Sequence, residues 1–205
     1  MHPHLTHQLA TLHQDDLRRA AAAAWRAGET AAAPPVPLRM RKLGPADRDR
    51  VEEGFNHLSA ASIRARFHGP VKPSPTLFAW VDELDGRDRI AVGASHAASG
   101  APLGLARYVR DSDDPSRAEF AITVVDAWQR RGVGSALAEE LARQAADVGV
   151  TTFTATCQVE NHGARAVARK LGDACFGRPS RGIVTLAARL APPCRQDLRE
   201  GRAAS

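Results

Sequence analysis

Residues 119–135, EFAITVVDAWQRRGVGS, join a predicted β-strand to a predicted α-helix through a turn rich in glycine and arginine. β-branched and aromatic residues dominate the strand part, and Gly132 and Gly134 stand where the chain enters the helix. A helix N-terminus has unpaired N–H groups and a partial positive charge, and glycine lets an anion approach that backbone closely. Arg130 and Arg131 add full charges. The stretch therefore predicts a pyrophosphate site, although a simple tight turn also explains a lone GxG.

Two common phosphate-binding patterns do not fit this turn. A dinucleotide-binding GxGxxG loop needs a third glycine and an acidic residue about twenty positions later. A P-loop needs GxxxxGK[ST], in which a lysine reaches the phosphates. The turn has instead the pattern QxxGxG, from Gln129 to Gly134. It therefore predicts an anion site of a different kind.

The segments on both sides of this stretch alternate between strand-like and helix-like patterns. The order β-α-α-β-β-β-α-β-α-β favours an α/β fold with a mixed sheet flanked by helices. Strands are predicted over 36–43, 89–96, 103–110, 117–125, 150–157 and 182–190, with a further short strand around 174–177, and helices over 44–58, 59–67, 132–149 and 161–172.

The composition indicates one globular domain with an extension at each end. The chain has 205 residues, of which 43% are hydrophobic, an ordinary value for a folded domain. It contains no apolar run of 18 or more residues and no secretory signal pattern, so we expect a soluble cytoplasmic protein with no membrane partner. Proline-containing breaks divide the chain into an N-terminal tail (1–35), with a helix predicted over Thr11–Ala27, a core domain (36–190) and a C-terminal tail (191–205).

The charge balance favours an anionic partner without identifying it. The formal net charge is +5 and the sequence pI is about 9.7. Nucleic-acid binders more often show a basic stripe with interleaved aromatic residues. Aromatic residues make up only 5% of this chain. We therefore expect no nucleic-acid partner.

The cysteines and histidines do not predict a metal site. The cysteines are odd in number and widely spaced, which indicates reduced thiols rather than a zinc site or a disulfide framework. They are Cys157, Cys175 and Cys194. The histidines of the N-terminal tail have no cysteine or carboxylate partner at ligand spacing. We therefore expect no bound metal.

Three features together resemble the GNAT superfamily of N-acetyltransferases. They are the loop QRRGVG at 129–134, the segment ENHGARAVARKLG at 160–172, and the element order over 36–190. The resemblance implies a mostly antiparallel sheet of six or seven strands with about four helices, and acetyl-CoA as the co-substrate. It also implies that the strand before the loop separates from its neighbour and binds the pantetheine arm through its backbone. The implied cofactor residues are Ile122, Val124, Gln129, Arg130, Arg131, Gly132, Val133, Gly134, Ser135 and Asn161.

Glu119 would stand at the acetyl end of such a site. From Glu119 to Val124 the strand extends over roughly 16 to 17 Å, the scale of an extended pantetheine arm. An amine is protonated at neutral pH and must lose a proton before it attacks a thioester, so a carboxylate at this place is useful as a general base. A solvent-facing glutamate at the end of a strand is the ordinary alternative. Its position on the cofactor strand favours the catalytic interpretation.

Two longer segments are similar to Pat-type bacterial protein lysine acetyltransferases. They are FNHLSAASIRARFHGPVKP at 55–73 and ARYVRDSDDPSRAEFAITVVDAWQRRGVGSAL at 106–137. This resemblance implies that Glu119 is the base and that a protein lysine is the acceptor. Many relatives protonate the leaving thiolate with a tyrosine, but Ala168 occupies that position and the sole tyrosine, Tyr108, lies on another strand. A thiol of low pKa leaves without strong acid help.

Other interpretations stay open at this point. The acceptor is alternatively a small amine, such as an aminoglycoside, a polyamine or an amino acid, if the acidic turn at 111–114 lines its pocket. The chain is alternatively an acyl-CoA-sensing module without turnover. Cys157 is expected to be a buried structural thiol, His68 and His96 are minor candidates for substrate binding, and Ser59 is a predicted helix cap. The sequence leaves monomer and dimer equally open.

Overall fold

A computed structural model describes residues 36–190 of the chain. The two predicted tails, with the helix predicted over Thr11–Ala27 and Cys194, lie outside these residues. The seven strands are β1 (Leu38–Lys42), β2 (Arg89–His96), β3 (Pro102–Arg110), β4 (Arg117–Val124), β5 (Thr152–Gln158), β6 (Gly172–Phe176) and β7 (Ile183–Leu190). The five helices are α1 (Arg48–Asn56), α2 (Ala60–Phe67), α3 (Pro75–Phe78), α4 (Val133–Asp147) and α5 (His162–Leu171).

All seven strands belong to one mixed sheet, in the order β1-β2-β3-β4-β5-β7-β6. Neighbouring strands are antiparallel except β4 and β5, which are parallel. Parallel neighbours need a crossover connection, and α4 provides it between these two strands. The predicted fold class is therefore confirmed, with the short strand near 174–177 present as β6. The parallel pair lies in the middle of the sheet, and the stretch at 119–135 begins within its first strand, β4.

The larger core lies between one face of the sheet and helices α4 and α5. Phe120 and Phe153 stack in it with their ring centroids 5.1 Å apart. The side of α4 that faces the sheet is apolar at helical spacing and buries Val133, Leu137, Leu141 and Ala145. Burial of this stripe is what fixes α4 against the sheet.

A second, smaller core lies on the opposite face of the sheet. Helices α1 and α3 and the turn after α3 contribute its buried side chains, which are Val51, Phe55, Phe78 and Val81. The ring of Phe55 meets the ring of Phe78 edge-on at a centroid distance of 5.4 Å. The sheet therefore carries helices on both faces, and Leu105 on β3 packs against this second core.

The structure differs from the predicted elements in two places. Helix α3 was not predicted, because four residues are too few to show an apolar period; it begins at Ser74, whose hydroxyl accepts a hydrogen bond from the Leu77 N–H. Helix α1 is shorter than the predicted 44–58, because a 3-10 turn at Pro45–Asp47 comes first. Within residues 36–190 no helix is long and apolar enough to span a membrane.

Candidate active site

Strands β4 and β5 pair over only three residues each. Arg117–Glu119 lies beside Thr152–Thr154, and the pairing stops there. Beyond that point β4 continues along β3 to Val124, while β5 continues along β7 to Gln158. The two parallel strands therefore separate immediately after Glu119, as the sequence analysis predicted.

The separation leaves backbone groups of β4 without a strand partner on one side. Val125 donates its N–H to the Leu103 carbonyl of β3, at 2.9 Å. Because hydrogen bonding alternates along an antiparallel strand, Ile122 and Val124 direct their N–H and C=O groups to the other side, toward the gap. The Gln129 side chain confirms this direction, because its Nε2 donates to the Val124 carbonyl at 3.0 Å. The exposed edge at Ile122 is thus available to an extended ligand.

The gap between the two strands forms a large open groove of about 1020 Å³. We call it the β4–β5 groove. Its walls are residues 119–124 of β4, residues 155–158 of β5, helix α2, the turn at 129–135 and the first residues of α5. Glu119 lies at the end where the strands part, and the turn lies at the other end. The groove therefore runs along the length of β4, with a carboxylate at one end and a helix N-terminus at the other.

The turn at 129–135 has the geometry of an anion site. Gly132 is the N-cap of α4 with a φ of 84°, and a Cβ at this position would meet nothing within 4 Å. Gly134 and Ser135 also line the groove. Arg130 lines it too with a φ of 62°, a left-handed conformation that glycine adopts at lower cost. The unpaired N–H groups at the start of α4 therefore face an open space that an anion can enter.

Two predicted cofactor residues do not line the groove with their side chains. Arg131 places its guanidinium 5.2 Å from the ring centroid of Trp128. Val133 is 1% exposed and belongs to the larger core. Any contact of Val133 with a ligand is therefore confined to its backbone N–H, which belongs to the first turn of α4.

A hydrogen-bonded cluster ties α2 to the turn. The Asp126 carboxylate accepts from the Ser59 N–H at 2.9 Å, from the Ser59 hydroxyl at 2.6 Å and from the Ser62 hydroxyl at 2.9 Å. Gln129 donates to the Ser62 oxygen at 2.9 Å. Burial raises the pKa of Asp126, but the hydrogen bonds from both serines outweigh it and leave the pKa below its usual value. Ser59 caps α2 as predicted, whereas the role of Asp126 was not predicted.

The second predicted cofactor segment lies across the groove from the turn. Asn161 caps α5 by accepting the Ala164 N–H at 2.9 Å, and it lines the groove. Lys170 of α5 was missed by the sequence analysis. Its Nζ lies 3.0 Å from the Ser135 hydroxyl and it also lines the groove. The end of the groove at the turn therefore carries a cation from α5 in addition to Arg130.

Two arginines lie near the Glu119 carboxylate, which is exposed in the groove. Burial, together with the neighbouring Arg107 cation, lowers the pKa of Arg66 to about 10, although Glu119 opposes the shift. Burial likewise lowers the pKa of Arg107, against the effects of Glu119 and Glu83. The Glu119 end of the groove is therefore not acidic overall, since its carboxylate lies near the cations of Arg66 and Arg107.

No tyrosine lines the described part of the groove. Ala168 is buried and does not line it. Tyr108 is 1% exposed in the larger core, and its hydroxyl donates to the Arg87 carbonyl at 2.8 Å. Burial raises the pKa of Tyr108 to about 12. Tyr108 therefore has no access to a ligand in the groove.

The minor candidates have different placements. His68 lines the groove, and its Nε2 is 3.1 Å from the Thr156 hydroxyl. His96 lies against Trp128, at a centroid distance of 5.6 Å. Cys157 is buried at 4% exposure, burial raises the pKa of its thiol, and its place in the core agrees with a structural role. Within residues 36–190 no group of three or more histidine, cysteine or acidic residues is arranged to hold a metal ion.

Comparisons with known proteins agree with this architecture. The chain matches the Acetyltransferase (GNAT) family over residues 56–173, more than half of its length. It is 32% identical over 145 residues to the acetyltransferase Pat of Mycolicibacterium smegmatis, covering 71% of this chain and 43% of that protein. The GNAT domain of S. lividans PAT superposes with a TM-score of 0.67 at 28% identity, covering 75% of this chain and 90% of that one. The structure of yncA from Salmonella typhimurium with its cofactor acetyl-CoA shares the fold, with a TM-score of 0.60 at 17% identity over 78% of this chain and 98% of that one.

The fold, with its groove between β4 and β5, is that of a GNAT domain. The chain belongs to the GNAT family of N-acetyltransferases. It spans less than half the length of the curated Pat relative.

Proposed function

We propose that the chain transfers the acetyl group of acetyl-CoA directly to a lysine ε-amine of a protein, with Glu119 as the general base. The observation that carries this proposal is the end of the β4–β5 ladder at Glu119. It sets a carboxylate at the point where an extended ligand along β4 would end. The turn at 129–135 lies at the opposite end of the same groove.

The residues of the groove fit the chemical parts of acetyl-CoA. The unpaired backbone at Ile122 offers strand-like hydrogen bonds to the amide groups of pantetheine. The N-terminus of α4, with Arg130 and Lys170 nearby, suits a pyrophosphate. From Glu119 to Val124 the strand is roughly 16 to 17 Å long, which suits an extended pantetheine arm. Acetyl-CoA supplies an activated acyl group, a thioester whose carbonyl carbon is open to an amine.

Glu119 has the chemistry that the acceptor amine needs. The amine nitrogen forms a bond to the acetyl carbonyl carbon while the carbon–sulfur bond breaks, and the Glu119 carboxylate accepts the amine proton, directly or through water. The sulfur leaves as a thiolate. Because Tyr108 is buried away from the groove, solvent supplies the proton to this thiolate, whose basicity is low enough to leave without a strong acid.

Two observations support a protein lysine as the acceptor. The first is the similarity to Pat of M. smegmatis, which extends over 71% of this chain. The second concerns the acidic turn between β3 and β4, which does not line the β4–β5 groove. Asp111 accepts the backbone N–H groups of Asp113 and Asp114 and is occupied within its own turn. The turn therefore supplies no acidic pocket of the kind that a polyamine or an aminoglycoside would favour.

Free thiols at Cys157 and Cys175 agree with a cytoplasmic location.

The test compares Glu119→Gln with the wild-type chain on a lysine peptide, by release of the CoA thiol. We expect turnover to fall by roughly 10² to 10⁴-fold, while calorimetry shows nearly unchanged acetyl-CoA binding. Glu139→Gln is the matched control, since Glu139 is an exposed glutamate on α4 outside the groove. Unchanged turnover in Glu119→Gln would refute the assignment of the base.

The alternative functions give different results in the same assays. A small-amine acetyltransferase would release thiol with amino acids or polyamines but not with peptides. A sensing module would bind acetyl-CoA and release no thiol with any acceptor. Absence of acetyl-CoA binding would contradict all three functions.

A further inference from the structure

A second cavity of about 290 Å³ lies on the face of the sheet that carries α1, α2 and α3. We call it the α1–α3 cavity. Its walls are mainly apolar and include Phe55, Phe78 and Trp80. Arg66 lines both this cavity and the β4–β5 groove. The two spaces therefore adjoin close to the proposed base, and their linings share Arg66, Phe67 and Thr123.

The charged groups of the α1–α3 cavity are mostly cationic. Its lining includes Arg41, Arg50, Arg66 and Arg107 against the single carboxylate of Glu53. Arg41 is already paired with a carboxylate outside the cavity. Neither Arg66 nor Arg107 forms a salt bridge with any residue that the structure describes. Arg50 likewise forms no salt bridge with a described residue, but only Arg66 and Arg107 of these three lie near enough to Glu119 for its charge to affect their pKa.

The position of Arg107 relative to Glu119 follows from the strand register. Val109 of β3 is the register partner of Glu119, and Arg107 lies two residues before Val109 on the same face. Diagonal neighbours of this kind have their Cα atoms about 7 to 8 Å apart. An anion bound to Arg107 would therefore lie about one side-chain length from an amine that approaches the Glu119 carboxylate.

Aromatic rings hold both guanidinium planes. Arg107 lies over the Trp80 ring at 4.5 Å from its centroid, and Arg66 lies over the Phe67 ring at 4.8 Å. A guanidinium stacked on a ring keeps its N–H donors at the edge of the plane, where they match the two oxygens of a carboxylate. The stacking therefore leaves an anion-binding edge on each arginine.

We propose that Arg66 and Arg107 bind a carboxylate of the acceptor, so that the enzyme prefers a lysine with a neighbouring aspartate or glutamate. This inference rests on the proposed function for the lysine, and the carboxylate preference is new. An incoming ammonium is repelled by the two cations beside Glu119. A carboxylate on the same acceptor offsets that repulsion and orients the amine toward the base. An apolar neighbour has no such effect.

The experiment uses lysine peptides that differ only in glutamate or glutamine at the residues flanking the lysine. With the wild-type chain we expect kcat/KM to be about tenfold or more higher for the glutamate peptide, mainly through a lower KM. Arg107→Gln and Arg66→Gln each reduce this preference to within about threefold. Arg64→Gln keeps it, since Arg64 is an exposed residue of α2 that lines neither cavity. Melting temperature and acetyl-CoA affinity confirm that the variants fold.

Two results would overturn the inference. One is equal use of both peptides by the wild-type chain. The other is an equal loss with both peptides in Arg107→Gln, which would mean that the arginine only orients Glu119. Calorimetric binding of the same peptides to the CoA complex gives the same comparison without turnover, and equal binding of both peptides counts against the proposal.

Two small amines distinguish failure of the proposed lysine acceptor from failure of the proposed carboxylate preference. If neither peptide is acetylated or bound, the protein-lysine function is wrong. The carboxylate preference is then tested with 6-aminohexanoate against hexylamine. A preference for 6-aminohexanoate that Arg107→Gln abolishes supports the arginine site, and equal behaviour of the two amines in binding and turnover refutes it.

Discussion

Glu119 of β4 and Thr154 of β5 form the last register pair of the parallel ladder in the described sheet. Their pairing fixes where β4 loses its neighbour, and that point is also where the proposed base stands. The carboxylate is therefore positioned by sheet geometry rather than by a loop. Its distance from the helix N-terminus at 132–135 is set by the length of β4, so one strand determines the spacing of the two ends of the site.

Gly104 allows β3 and β4 to lie close together opposite the groove. A Cβ at this residue would stand 2.6 Å from the Thr123 carbonyl oxygen and 3.2 Å from a methyl carbon of Leu137. Because the first neighbour is backbone, Gly104→Ala must displace β4. We expect a loss of about 1 to 3 kcal/mol in the free energy of unfolding, measured by urea denaturation.

Gly54→Ala is the matched control for this change. Its Cβ would lie 3.6 Å from Pro102, an ordinary contact, and alanine favours the interior of α1. This variant should be about 0.5 to 1 kcal/mol more stable than the wild-type chain. If Gly104→Ala proved as stable as Gly54→Ala or more stable, the packing argument would be contradicted.

Substitution of Gly132 is expected to affect both the stability of the protein, through backbone conformation, and its affinity for acetyl-CoA, through ligand approach. Its φ of 84° makes alanine cost about 1 to 2 kcal/mol of stability, with no steric contact in the free protein. Gly149, at the other end of α4, has a φ of 85° and equally open surroundings, but it does not line the groove. We expect Gly132→Ala and Gly149→Ala to lose similar stability in denaturation. Only Gly132→Ala should also weaken acetyl-CoA binding in calorimetry, and equal affinities would exclude close ligand approach at Gly132.

The sequence predicts the order of helices and strands along the chain and the residues at the two ends of the groove, because both depend on local patterns. Glu119 precedes an apolar strand, and the glycines at 132 and 134 precede an amphipathic helix, so each signal lies within a few residues. Asp126 and Lys170 escape prediction because their partners are distant: Asp126 binds Ser59, and Lys170 approaches Ser135. Such contacts depend on how helices pack over the sheet, and an isolated aspartate or lysine shows no period that reveals it. For the same reason the sequence does not reveal that Arg66 and Arg107 lie close together.

Lys170 is expected to contribute to binding at the phosphate end of the groove. Its Nζ lies 3.0 Å from the Ser135 hydroxyl at the start of α4. Lys170→Gln should weaken acetyl-CoA binding by roughly 3 to 10-fold at low ionic strength, and by less in high salt, because screening reduces the attraction between exposed charges. Calorimetry at two salt concentrations measures the effect. Lys72→Gln is the control, since Lys72 is exposed and lines neither cavity; an equal loss in both variants would indicate only a general charge effect.

Asp47 is expected to make the stability of the domain depend on acid pH. Arg41 donates two hydrogen bonds to its carboxylate, one of them at 2.8 Å, and Gly44 donates its N–H at 3.0 Å. The hydrogen bonds from Arg41 hold the pKa of Asp47 at about 2, below its usual value of 3.8, although burial opposes the shift. A carboxyl whose pKa is lowered by folding stabilises the protein above its unfolded pKa, and this contribution is lost as the pH falls from about 4 to about 2.

Asp47→Asn should therefore cost about 1 kcal/mol at pH 7, after allowance for the solvent exposure of Arg41. Urea denaturation of both proteins at pH 7, 4, 3 and 2.5 should show the difference between them shrinking as the pH falls. Asp49→Asn removes an exposed carboxylate two residues later, in the first turn of α1, and it should not reproduce this trend. A difference between wild type and Asp47→Asn that stays constant down to pH 2.5 would show that the Arg41 pair does not couple folding to protonation of Asp47.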